Sequence, residues 1–109
     1  MIKSGAVYGK VQGVMFRQTF IRACLVRQLA GGVTNDPSQE DRVTFTLLGE
    51  DELVLEIIER LSKPEILNSW QASVEKLEIL EQPIPIVQHE VTTDNVDDFE
   101  WSPGVEFYL

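Results

Sequence analysis

The chain has 109 residues, ordinary hydrophobic content and a formal net charge of −9, which suits one domain (1–109) with a single core. An acidic whole excludes general nucleic-acid binding, because phosphate backbones demand a broad basic surface. No apolar run approaches the ~20 residues needed to span a bilayer, so no membrane partner is expected.

The charge is divided. Residues 1–35 hold Lys3, Lys10, Arg17, Arg22 and Arg27 and no acid, giving +5; from Asp36 onward 18 carboxylates face four cations, giving −14. A local positive field in the first third is compatible with a small anion. The first residues lack the apolar core of a secretion signal, and the single Cys24 suits a reducing compartment, so a cytoplasmic location is expected. One Cys and one His give no ligand set for structural zinc.

Residues 5–11 read as a strand bounded by glycines. The run then passes through Gly9 and Gly13 into a segment of helical spacing. Strand, Gly-containing loop and helix start form a natural anion cradle, since the first amides of a helix lack internal partners and carry partial positive charge. Arg17 stands where a forked guanidinium would close it. Residues 17–29 read as a helix with Phe20, Ile21, Cys24 and Leu25 on one face and Gly31-Gly32 as its stop; Cys24 is expected to be a packed core thiol.

A short strand is expected at Gly32–Asn35, followed by an Asn35-Asp36-Pro37-Ser38 turn. Arg42–Leu48 is the next strand, with Val43, Phe45 and Leu47 on one side. A second helix opens on Glu50-Asp51-Glu52, carries Val54, Ile57, Ile58 and Leu61 on its apolar face, and ends at Lys63-Pro64. Residues 65–73 fit either a helical turn or a packed loop. Val74–Leu80 is strand-like, with Val74, Leu77 and Ile79 as expected buried positions.

Residues 82–103 lose periodicity, carry a cluster of acids and read as a long irregular connection or ordered arm, with His89 a solvated loop residue and Trp70 and Trp101 core or arm anchors. Gly104–Leu109 reads as a terminal strand with Val105, Phe107 and Leu109 on one face. The element order implies an α+β, ferredoxin-like βαββαβ sandwich, with two helices on one face of a mainly antiparallel sheet and an extra C-terminal strand.

The loop resembles the signature of the acylphosphatases, Gly-x-Val-Gln-Gly-Val-x-Phe-Arg, at Gly9-Lys10-Val11-Gln12-Gly13-Val14-Met15-Phe16-Arg17. The second signature, ending Gly-x-Val-x-Asn, is similar to Gly31-Gly32-Val33-Thr34-Asn35. The likeness is close over 6–35, looser through Leu80, and resumes at Gly104-Val105-Glu106-Phe107, which looks like the family's closing strand.

The resemblance implies hydrolysis of small acyl phosphates with no metal or organic cofactor; separately, a monomer is expected. It implies that Arg17 and the backbone amides of Gln12, Gly13, Val14, Met15 and Phe16 hold the phosphate oxygens, and that Asn35 orients the attacking water. No general base is evident nearby; the family is thought to let the substrate accept the proton.

Four departures stand out. Arg27-Gln28-Leu29 lacks the left-handed Gly stop, Gly32 replaces a usually bulky residue, the turn from Asp36 to Asp41 is lengthened, and 82–103 has no evident counterpart. They keep a second reading open, a non-catalytic domain of this shape that binds an anion or, through the acidic arm, a protein. RNA binding is opposed by the acidic balance and the absence of an aromatic-rich Lys/Arg-Gly-Phe strand motif. A Walker loop is excluded because Lys10 precedes Val11 rather than Ser or Thr.

Overall fold

A computed structural model describes residues 1–109. Its elements are β1 (Ile2–Lys10), α1 (Phe16–Val26), β2 (Ala30–Asn35), β3 (Arg42–Leu48), α2 (Asp51–Leu61), β4 (Ser73–Ile79) and a short β5 (Val91–Thr92). Every strand pairs antiparallel with its neighbours, in the order β4-β1-β3-β2-β5. This is the expected ferredoxin-like arrangement, and no helix is long and apolar enough to cross a membrane.

Register explains the core. Val7 pairs with Val43 and Val33 with Phe45, so the period-2 alternation of all three strands points the same way. Val7, Val33, Val43, Phe45 and Leu47 are fully buried with Phe20 of α1 and Val54, Ile57 and Leu61 of α2. The Phe20 and Phe45 rings lie 5.3 Å apart across the helix–sheet seam. Each such side chain contributes roughly 1.5–3 kcal/mol of burial. On the edge strand β4, Val74 is buried, Leu77 half-buried and Ile79 exposed; a bulge at Tyr8/Gly9 shifts the register, so that Val74 and Leu77, three positions apart, share a face.

The first helix ends earlier than expected. It stops at Val26, and Gln28 itself takes the left-handed conformation (φ 59°), returning the Leu29 amide to the Cys24 carbonyl at 2.9 Å. A non-Gly residue there costs about 1–2 kcal/mol, which the burial of Leu29 offsets. Gly31 and Gly32 therefore lie inside β2, not beyond a helix end. At Gly31 a Cβ would stand 2.6 Å from the Cys24 sulfur, so the two residues share one space. Cys24 is fully buried, and burial pushes its thiol up to about 12.

Of the two readings for 82–103, an irregular connection or an ordered arm, the structure shows the second, an arm bonded onto the sheet. Residues 80–90 lie across the sheet face opposite the helices: the Leu80 amide bonds the Ser4 carbonyl at 2.9 Å, and the Ile84 amide bonds the Ser4 hydroxyl at 2.8 Å. His89 is buried there rather than solvated. The chain then turns the sheet edge and adds β5 to β2, pairing Val91 with Val33 and Thr92 with Gly32.

The terminal strand is also corrected. Residues 104–109 never join the sheet; Phe107 makes only an isolated bridge to Asn68, while the Tyr108 amide bonds the Leu67 carbonyl at 2.8 Å. The edge position beside β2 is already filled by β5. Val105 and Leu109 are nonetheless buried, whereas Trp70, expected as an anchor, is exposed.

Candidate active site

The loop between β1 and α1 makes its turn with two left-handed residues, Gly13 (φ 77°) and Met15 (φ 59°). Met15 is the N-cap of α1, but no side chain caps the helix and no acid stands in its first turn. No protein group accepts a hydrogen bond from the backbone amides of Gln12 through Arg17. The result is a row of unsatisfied donors at the positive end of a helix.

Two buried side chains hold this loop. The Asn68 amide group donates to the Val14 carbonyl and to Thr19 Oγ1, both at 2.8 Å, while its oxygen accepts from the amides of Trp70 (2.9 Å) and Ala72 (3.1 Å). Thr19 Oγ1 in turn donates to the Met15 carbonyl at 2.7 Å. Nothing in the sequence marks Asn68, since it sits in the stretch whose local structure was ambiguous.

Asn35 reaches the same place by strand parity. It lies two residues beyond Val33 on β2 and so shares the helix-side face. A cavity of about 160 Å³ opens there, lined by Gly13, Met15, Phe16 and Arg17 of the loop and helix start, and by Asn35. Its far wall comes from the arm: Val91, Phe99, Glu100, Trp101 and Ser102. Trp101 is fixed by its indole N–H, which donates to the Val96 carbonyl at 2.9 Å. The Oδ1 atom of Asn35 and the Oε1 atom of Gln18 are buried without a hydrogen-bond partner, and both residues line this cavity. Orphaned acceptors of that kind call for a donor from solvent or ligand.

The structure brings together Arg17, Asn35, Gly13, Met15 and Phe16 of the expected residues. Two side chains stand elsewhere. Gln12 Nε2 donates to the carbonyls of Asp36 (3.0 Å), Gln39 (3.1 Å) and Arg42 (2.8 Å), pinning the lengthened turn after Asn35. Val14 is buried in the core. The same turn is braced by an Arg42–Asp36 ion pair at 2.9 Å, and hydrogen bonds from Ser38 and Arg42 hold the Asp36 carboxyl below its ordinary range.

Sequence reading missed Glu90. Its Oε1 lies 2.8 Å from Arg17 Nη1 and 3.5 Å from the backbone nitrogen of Asn35. No local signal announced it, because 73 positions separate it from Arg17 in the chain.

The acylphosphatase family model matches residues 3–100. The match includes most of the arm, for which no counterpart was evident, and stops short of Gly104–Phe107. Among solved structures the chain is similar to an acylphosphatase from Bacillus subtilis, at 25% identity over 73% of this chain and 83% of that one, with a TM-score of 0.58. It is also similar to an acylphosphatase from Coxiella burnetii, at 26% identity over 82% and 85%, with a TM-score of 0.60. No curated protein matches in sequence. With a match over nearly its whole length and both signature segments opening on one cavity, this chain belongs to the acylphosphatase family.

Proposed function

We propose that the protein hydrolyses small acyl phosphates to a carboxylate and inorganic phosphate. Water attacks phosphorus, the bond from phosphorus to the acyl oxygen breaks, and the carboxylate leaves with the electron pair. The water's proton passes to a phosphate oxygen of the substrate. An acyl phosphate carries a good leaving group, so positioning and charge stabilisation suffice.

In this reading Arg17 and the free amides of the 12–17 loop bind the phosphoryl oxygens, and Asn35 holds the water, offering both donor and acceptor. The observation that carries it is the convergence of Arg17, the uncapped helix start and the unpartnered Asn35 Oδ1 on one cavity. The two acylphosphatase structures support the reading by likeness. Phosphate release from acetyl phosphate by wild type, Arg17→Ala and Asn35→Ala tests it; wild-type turnover no faster than the buffer blank would overturn it.

One observation favours the second reading, an anion-binding domain without chemistry: Arg17 is already paired to a carboxylate of its own chain. Thermal stabilisation by both phosphate and acetyl phosphate, with no product formed, would select it.

A further inference from the structure

We propose that Glu90 is an internal competitor for the anion seat on Arg17, so that it sets how tightly this site holds phosphate. The ion pair at 2.8 Å is the only one Arg17 makes, and the same carboxylate oxygen faces the backbone N–H of Asn35 at 3.5 Å. The carboxylate thus bridges the two signature segments, through the guanidinium that lines the cavity and the Asn35 backbone amide. A phosphoryl group bound by that guanidinium meets a fixed negative charge and must push it aside or share the cation with it.

The arm keeps Glu90 in place independently of Arg17. Its amide donates to Thr34 Oγ1 at 2.9 Å, and its carbonyl accepts from Asn95 Nδ2 at 3.2 Å. On one side His89 is clamped between the hydroxyls of Thr34 and Thr46, each at 2.8 Å; on the other Val91 is buried and paired to Val33. With its backbone held from both directions, Glu90 releases Arg17 by side-chain rotation and not by movement of the arm. The side chain is 45% exposed, which leaves room for that rotation. Glu90 therefore weakens phosphate binding without closing the cavity, and it speeds release of the phosphate product.

The effect on turnover rests on the hydrolase reading, but the effect on binding does not. Inorganic phosphate is titrated into wild type, Glu90→Gln, Arg17→Ala and the double variant, followed by amide shifts of residues 12–17, alongside acetyl phosphate kinetics. Loss of a partly exposed competing ion pair should tighten phosphate roughly two- to fivefold and lower KM similarly, with kcat retained. The double variant should bind no better than Arg17→Ala. Unchanged or weaker phosphate binding in Glu90→Gln overturns the proposal, as does a tenfold or greater fall in kcat with affinity unmoved, which would make Glu90 a proton acceptor. Tighter phosphate binding with no turnover by any form upholds the proposal and removes only the hydrolase reading.

Discussion

Gly32 and His89 occupy complementary space: a Cβ on Gly32 would stand 2.8 Å from the His89 Cβ and ring carbons. The missing side chain in β2 is what lets the imidazole lie flat on the sheet. There its Nε2 and Nδ1 contact Thr46 and Thr34. Gly32→Val should therefore expel His89, loosen the arm and detach β5 from β2. A loss of about 2–4 kcal/mol in urea unfolding is expected, from overpacking and an opened polar network. Hydrogen exchange should rise at Glu90–Thr92; unchanged exchange there would show that the fit is not mutual.

The hydroxyl network also fixes the protonation of His89. Thr46 Oγ1 gives its proton to the Ile84 carbonyl at 2.7 Å, so Nε2–H must donate to Thr46 and Nδ1 must accept from Thr34. Burial lowers the pKa of this neutral ring from 6.5 to about 4. Between those values the unfolded chain binds a proton that the folded one refuses. The contribution is thus complete above the unfolded value and is lost as pH falls toward about 4. Unfolding measured from pH 7.5 to 4.5 should fall more steeply for wild type than for His89→Gln. Parallel curves would mean that the ring protonates in place at no cost.

Asn68 supports the site from beneath. Replacing it by Ala leaves the Val14 carbonyl and the amides of Trp70 and Ala72 without the partner that the fully buried Asn68 side chain supplies. The expected cost is about 2–4 kcal/mol. Phosphate affinity should fall as well, since the 12–17 loop loses its brace. A variant of wild-type stability would show that water replaces the carboxamide.

If the chain is a hydrolase, Arg17 and Asn35 should fail differently. Arg17→Ala should lower kcat/KM by about 10²–10³, the usual effect of removing one preorganised donor to developing charge. Asn35→Ala should lower kcat with KM little changed, because holding the water does not bind the substrate. Equal rises in KM with kcat intact would reassign both residues to anion binding alone.

Much of this protein was written locally. Alternation in Arg42–Leu48, helical spacing in Phe20–Leu25 and the acids at Glu50–Glu52 placed β3 and both helices, because strand and helix periods are properties of neighbouring residues. The two signature segments likewise singled out Arg17 and Asn35, each within a short contiguous run. Only the tertiary structure decided the rest. β5, the burial of His89 and the seat of Glu90 depend on contacts such as Thr34 to His89, 55 residues apart, where no periodicity exists to be read. Those placements follow from shape and unsatisfied polar groups on the sheet's second face, quantities that arise only once the strands have paired.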